Sequence, residues 1–134
     1  MSDTSTQHLA EQNGGPCRVL VVDDNDDSAS SMAMLLQIYG HDARVANDGE
    51  HCLEVAREFA PQAVVLDIGL PGMDGYEVAR RLRELPQTRK ALLIALTGYG
   101  HAEDRRRALE AGFNHHLVKP VDPNDLAALI APAK

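Results

Sequence analysis

Three runs of consecutive apolar residues, each followed by a polar side chain, constrain the fold of this chain more than any other feature. The runs cover residues 19–22, 63–66 and 91–96, and they stop at Asp23, Asp67 and Thr97. Strands that are apolar throughout, without alternation, are typical of a parallel sheet that helices cover on both faces. The sequence therefore predicts an α/β core built around these three strands.

Two weaker strands, at 42–46 and 115–118, and five amphipathic helical stretches alternate with these runs. Mixed strands suit the edges of a sheet, and this places the three apolar strands in its centre. We therefore predict a flavodoxin-like, doubly wound, five-stranded parallel sheet with strand order 2-1-3-4-5 and five helices. In the first helix the apolar face is predicted to contain Met32, Leu35, Leu36 and Tyr39.

The 134 residues are enough for one core, and they divide into a short tail and a domain. Residues 1–16 are polar and end in Gly-Gly-Pro, so we expect a flexible tail before a single domain at 17–134. Two isolated cysteines form neither a disulfide framework nor a zinc site, and they predict reduced thiols in the cytoplasm. No run reaches the roughly 18 apolar residues of a membrane span. The net charge of −7 argues against nucleic-acid binding.

Five polar residues follow the predicted strands at the edge where a doubly wound sheet binds its ligands. They are three carboxylates, a hydroxyl and an amine, from Asp23, Asp24, Asp67, Thr97 and Lys119. Singly, each has an ordinary interpretation as a helix cap, a turn residue or a solvated charge. Together the carboxylates are costly, because two unit charges about 5 Å apart repel by roughly 3 kcal/mol at an effective dielectric of 20. Oxygen ligands in this setting predict a Mg²⁺ site.

The order and spacing of these residues resemble the receiver domains of two-component response regulators, which are CheY-like. The resemblance covers residues 18–130 and includes the acidic pair, the string DIGLPGMDG at 67–75, the end of the fourth strand at 96–98 and Lys119-Pro120. The amino-acid sequences of these segments look most like those of receivers attached to hybrid histidine kinases. Two interpretations therefore stay open: the chain is a stand-alone regulator, or it is a receiver cut from a larger protein.

The resemblance implies that Asp67 accepts a phosphoryl group from a phosphohistidine on a sensor histidine kinase or a histidine phosphotransfer protein. Asp24, Asp67 and the main-chain carbonyl of Gly69 would bind Mg²⁺ directly, and Asp23 would act mainly through a water molecule. Lys119 would neutralise charge on the phosphoryl oxygens. Thr97 would hydrogen-bond one of these oxygens and be drawn inward.

The same resemblance assigns structural roles to Pro71, Gly75 and Pro120. Pro71 and the turn at 72–75 would shape the loop after Asp67, Gly75 would start the third helix, and a cis bond before Pro120 would aim Lys119 at the site.

A departure from the family pattern lies three residues before Lys119, where His116 replaces the usual tyrosine or phenylalanine. It is either a half-exposed histidine of an edge strand or the side chain that switches together with Thr97, which would make signalling sensitive to pH near the titration range of histidine. The face formed by helix 4, strand 5 and helix 5 would then contact an unidentified target, or a second copy after phosphorylation. Arg105–Arg107 on helix 4 is either a solvated surface or a contact for an acidic partner.

Two other functions compete with this interpretation. One is a Mg²⁺-dependent phosphatase with Asp67 as a transient nucleophile, but Gly69 stands where such enzymes place their second acid. The other is a receiver that is not phosphorylated, which the complete set of site residues disfavours. We therefore expect a switch that catalyses only its own phosphorylation and dephosphorylation.

Overall fold

The structure, a computed structural model, describes residues 17–68, 74–98 and 102–130. Strands and helices alternate along it in the order β1 (Arg18–Val22), α1 (Asp26–Ile38), β2 (Asp42–Ala46), α2 (Gly49–Phe59), β3 (Ala63–Asp67), α3 (Gly75–Glu84), β4 (Leu92–Thr97), α4 (Ala102–Ala111), β5 (His115–Val118) and α5 (Pro123–Ile130). The predicted tail, residues 1–16, lies outside the described residues, so its separation from the domain stays a prediction.

The five strands form one parallel sheet in the order β2-β1-β3-β4-β5, which confirms the predicted fold class and strand order. The three apolar strands are central, and the two mixed strands are the edges. Strand β4 extends one residue further than predicted, because Thr97 pairs with Val118 of β5. Asp67 likewise ends β3 opposite Leu96. Both polar residues are therefore held by the sheet itself rather than by a loop.

Successive residues of the central strands enter two separate cores, one on each face of the sheet. In β1, Leu20 and Val22 pack with α2, α3 and α4, whereas Val19 and Val21 pack with α1 and α5. All four are almost fully buried. Because both faces are covered by helices, every position of such a strand must be apolar, and this explains the uninterrupted runs in the sequence.

Helix α1 confirms only part of the predicted apolar face: Leu36 is buried, and Met32 packs against the same core. Its fully covered positions are Ala29, Ala33 and Leu36, whereas Tyr39 is 47% exposed. Tyr39 follows the helix as its C-cap, and its hydroxyl donates a hydrogen bond to Asn124 Oδ1 at 2.9 Å. The prediction for Tyr39 is wrong, because the helix ends at Ile38 and its buried face consists of Ala29, Ala33 and Leu36.

Two glycines with positive φ end helices that lead into strands. Gly40 (φ 96°) follows α1 and Gly112 (φ 113°) follows α4. The next amide then bonds back into the helix, from His41 to the carbonyl of Leu36 and from Phe113 to that of Ala108. A left-handed glycine in this place satisfies carbonyls that the helix leaves free. In the described part of the chain, no helix is long and apolar enough to cross a membrane.

Both cysteines are free and buried in the fold. Burial raises the pKa of the Cys52 thiol to about 12, and the charge of Asp48 adds to the effect. Cys52 is therefore an inert core residue, as expected, rather than a reactive thiolate.

A buried histidine, His41, holds the amino-terminal end of β1, at the opposite end of the strands from the acidic residues Asp23 and Asp67. The Cys17 amide donates to His41 Nδ1 at 3.1 Å, so this nitrogen must carry no proton. Burial lowers the pKa of His41 below its ordinary value. A histidine with a lowered pKa in the folded state adds stability above the ordinary pKa of about 6.5, and this is lost as the pH falls.

We therefore expect the free energy of unfolding to decrease between pH 7.5 and pH 5.5, and part of this decrease to come from His41. Urea unfolding of the wild type and of His41→Asn measures it, because asparagine retains an acceptor that does not titrate. The variant should show the smaller decrease. Equal decreases in the two proteins would exclude the contribution of His41.

Candidate functional site

The carboxyl ends of β1, β3, β4 and β5 bring the five predicted polar residues to one edge of the sheet. Asp23 and Asp24 follow β1, Asp67 and Thr97 end β3 and β4, and Lys119 follows β5. One oxygen from each of the three carboxylates lies within 4.8 Å of the other two. The topology therefore assembles residues that are up to 96 positions apart in the chain, from Asp23 to Lys119.

Asp67 forms a short ion pair with Lys119. The distance from Nζ to Oδ2 is 2.6 Å, and the Asp67 side chain is 13% exposed, against 42% for Lys119. Burial raises the pKa of Asp67, while the hydrogen bond and charge of Lys119 lower it and the charges of Asp23 and Asp24 raise it. The net direction is upward, because one ammonium does not offset burial beside two carboxylates.

The same environment raises the pKa of the Lys119 ammonium. Burial lowers its pKa, but the hydrogen bond and charge of Asp67, together with Asp23 and Asp24, outweigh burial and raise the pKa overall. Lys119 therefore stays an ammonium at neutral pH. It holds one oxygen of Asp67 and limits the orientations of that carboxylate.

The donor set fits a hard divalent cation. Three carboxylates and one ammonium leave a net charge of −2 when all are ionised, which a single divalent ion neutralises. The described donors are all oxygens, and the site is open to solvent through the exposed Asp24. Mg²⁺ prefers such carboxylate ligands and keeps several water molecules, so an open site suits it.

Hydrogen bonds orient the acidic residues within this edge. Asp23 is 9% exposed, and its Oδ1 accepts from the Asn25 amide at 3.0 Å. Asn25, not Asp24, is the N-cap of α1, since its side chain accepts from the Ser28 amide. The ordinary interpretation of Asp24 as a helix cap is therefore excluded.

The loops on either side of Asp67 and Lys119 are positioned by close backbone packing. Asp74 caps α3, and a Cβ added to Gly75 would lie 3.0 Å from the Cα of Ile68, the residue after Asp67. Glycine therefore allows the start of α3 to approach the end of β3. The Lys119-Pro120 bond is cis, as expected, and the Lys119 amide donates to the Thr97 carbonyl at 2.8 Å.

Two of the predicted site residues, Gly69 and Pro71, lie outside the described residues. The predicted carbonyl ligand and the predicted shape of that loop therefore stay predictions.

The sequence matches the family model of the response regulator receiver domain over residues 19–131. The chain belongs to the response regulator receiver domains. This confirms the resemblance that the motifs indicated. Receiver domains are in general phosphoacceptor switches of two-component signalling, and they take phosphoryl groups from histidine kinases and bind Mg²⁺ at an acidic pocket.

Relatives of the receiver domain differ in length. A 14.6 kDa protein from the sodA1 3′ region of Leptolyngbya boryana is 40% identical over 112 residues, which cover 84% of this chain and 86% of the relative. The response regulator PleD of Caulobacter vibrioides is 34% identical over 105 residues, 78% of this chain, and this chain spans only 23% of PleD.

Solved structures of receiver domains share the fold. The CheY-like receiver domain protein of Methanospirillum hungatei has a TM-score of 0.79 at 28% identity, covering 87% of this chain and 91% of that one. The receiver domain of the sensor histidine kinase PA1611 of Pseudomonas aeruginosa has a TM-score of 0.77 at 28% identity, covering 87% and 95%, and that structure holds a magnesium ion in its active-site cleft.

Sequence reasoning missed an apolar cleft beside the acidic site. A cavity of about 410 Å³ lies next to Lys119 and Asp23, and its apolar walls include Met32, Leu96 and Val121. The periodicity of α1 marked Met32 only as a core position, and no sequence signal distinguished it from a buried side chain. The cleft gives the receiver domain an apolar surface beside Lys119, the ion-pair partner of Asp67.

The basic run of α4 has internal partners that the sequence did not indicate. Arg106 pairs with Glu103 at 2.9 Å, and the guanidinium of Arg107 lies 4.4 Å from the centre of the Tyr76 ring on α3. Two of the three arginines are therefore occupied within the receiver domain. The run is not a uniform basic surface, which favours the interpretation as an ordinary helix face.

Proposed function

We propose that Asp67 of this receiver domain is the phosphoacceptor, and that it receives its phosphoryl group from a phosphohistidine. The observation that carries the proposal is the position of the Asp67 carboxylate, between two other carboxylates and the ammonium of Lys119. In the transfer, the P–N bond of the donor breaks and a P–O bond to Asp67 forms. The donor imidazole leaves as the neutral base after it takes up a proton from solvent.

We assign Asp24 and Asp67 as direct ligands of Mg²⁺ and Asp23 as a ligand through water. A bound Mg²⁺ would neutralise charge on the transferring phosphoryl oxygens. Lys119 already holds one oxygen of Asp67, and after transfer its ammonium would pair with a phosphoryl oxygen. The buried Thr97, at the end of β4, would donate its hydroxyl to another phosphoryl oxygen.

The proposed partners follow from this chemistry. The donor is a sensor histidine kinase or a histidine phosphotransfer protein in the cytoplasm, and the apolar cleft beside Lys119 offers it a contact surface. The output is a change in the face of α4, β5 and α5, to which Thr97 and His116 would transmit the modification. This face would bind a downstream protein or a second copy of the chain.

The family match gives no support to a phosphatase, and the enzymatic role that we propose is limited to the turnover of the receiver's own phosphoryl group. The two functions differ in stoichiometry, since a phosphoacceptor binds one group per chain whereas a phosphatase releases phosphate continuously.

Incubation of the protein with acetyl phosphate tests the proposed function. With Mg²⁺, intact-mass spectrometry should show the addition of one phosphoryl group per chain, and with EDTA it should show none. Continuous release of phosphate from several phosphomonoesters, without a stable adduct, would instead indicate a phosphatase.

A further inference from the structure

His116 lies on the face of the sheet that α4 covers. It pairs with Ala95 of β4, and because side chains alternate along a strand, Ala95 and Thr97 point to the same face. Ala95 belongs to the core between the sheet and helices α2, α3 and α4. The His116 ring therefore lies beside the strand that ends in Thr97, on the side of the sheet that α4 covers.

Both ring nitrogens of His116 are shielded from solvent, and neither has a hydrogen-bond partner in the described part of the chain. The side chain as a whole is only half-buried, so the covered part is the polar part. Leaving a buried polar group without a partner costs free energy relative to its hydration in water. For a charged imidazolium the cost is greater still.

The charged groups around the ring add to this preference. Within the described ranges, they are Arg105 and Asp104, both on α4, and the facing residue of β4 is the apolar Ala95. Burial lowers the pKa of His116, the charge of Arg105 lowers it further, and the charge of Asp104 opposes both without reversing the direction. The covered position therefore favours the neutral ring.

We propose that the covered position of His116 is open only to the neutral imidazole and is the position that phosphorylation of Asp67 favours, so that proton binding and phosphorylation oppose each other. The inference rests on the proposed function, in which Thr97 is drawn toward the phosphoryl group. A protonated ring would leave the covered position for solvent, where its nitrogens can be hydrated. By linkage, the two events must weaken each other by the same factor.

The test uses beryllofluoride, which forms a phosphoryl-like adduct with an aspartate. NMR titration of the His116 ring in the full chain with Mg²⁺ gives its titration midpoint with and without beryllofluoride, and His116→Phe assigns the signal. We expect the midpoint to fall when the adduct forms. A fall of one pH unit corresponds to tenfold weaker beryllofluoride binding by the protonated protein. An unchanged or higher midpoint in the presence of the adduct would overturn the inference.

A matched pair of variants provides an independent readout. Beryllofluoride affinity, measured by fluorine NMR, should weaken from pH 7.5 to pH 6.0 in the wild type and in His115→Phe, which changes the neighbouring histidine of β5. The weakening should be smaller in His116→Phe, whose ring cannot take up a proton. Equal weakening in all three proteins would overturn the inference. If the wild type forms no adduct at any pH, the proposed function itself fails, and the fluorine signal distinguishes this result.

Discussion

Replacement of Asp67 by asparagine is expected to abolish Mg²⁺-dependent labelling by acetyl phosphate and, at the same time, to stabilise the fold at neutral pH. The loss of labelling follows because the amide is a poor nucleophile. The gain in stability follows because the pKa of Asp67 is raised in the folded state, chiefly by burial. An acid with a raised pKa opposes folding when it is ionised.

The stability difference between Asp67→Asn and the wild type depends on pH, because only the wild type has an Asp67 carboxyl that titrates. The ionised carboxylate is unfavourable at neutral pH, and the penalty disappears below the pKa of an unfolded aspartate, about 3.9. Asp67→Asn should therefore have a larger free energy of unfolding than the wild type at pH 7, and this difference should shrink as the pH falls toward 4.

Mg²⁺ should affect the melting temperatures of the wild type and of Asp67→Asn differently. An ion that binds only the folded state raises the melting temperature, and its effect grows with its concentration over Kd. We expect Mg²⁺ to raise the melting temperature of the wild type more than that of Asp67→Asn. Asp42→Asn is the control, since it removes an exposed charge at the other end of the sheet. An Asp67→Asn protein that is labelled as fast as this control would contradict the assignment of the acceptor.

The largest loss of stability is expected from Arg83→Met. The Arg83 guanidinium donates five hydrogen bonds across three segments, to the carbonyls of Arg89, Ala91 and Gly112 (two bonds) and to Asn114 Oδ1. These bonds join the end of α3 to the entrance of β4 and to the turn between α4 and β5. Methionine retains most of the aliphatic stem but donates no hydrogen bond.

Arg83→Met should lower the free energy of unfolding by about 3 kcal/mol, because the part-buried carbonyls of Ala91 and Gly112 lose charged donors. For a domain of this size this corresponds to a melting temperature roughly 10 °C lower. Arg80→Met is the matched control, because its exposed pair with Glu77 is worth less than about 1 kcal/mol. Equal losses in the two variants, by urea unfolding, would contradict the role of Arg83.

The fold and the composition of the candidate site could be predicted because they depend on patterns along the chain. Continuous apolar runs identify the central strands, and the residues that follow such runs must meet at one edge of a parallel sheet. Asp67 and Lys119 are therefore recognisable as neighbours from sequence alone, although 51 residues separate them.

Contacts between side chains and distant backbone could not be predicted in this way. Arg83 has the spacing of a solvated helix residue, and only the tertiary structure shows that its guanidinium reaches the carbonyl of Gly112. Tyr39 has helical spacing but lies beyond the end of α1. For His116 the sequence indicated an unusual residue, whereas the absence of a partner for its nitrogens within the described residues depends on how α4 packs on β5.

The most direct test of the central claim is to locate the phosphoryl group. After treatment with acetyl phosphate and Mg²⁺, borohydride reduction converts an aspartyl phosphate to homoserine, and peptide mass spectrometry identifies the position. The predicted result is homoserine at position 67 in the wild type and none in protein treated with EDTA. Homoserine at position 23 or 24 instead, or no conversion in a folded protein with Mg²⁺, would contradict the assignment of Asp67 as the phosphoacceptor.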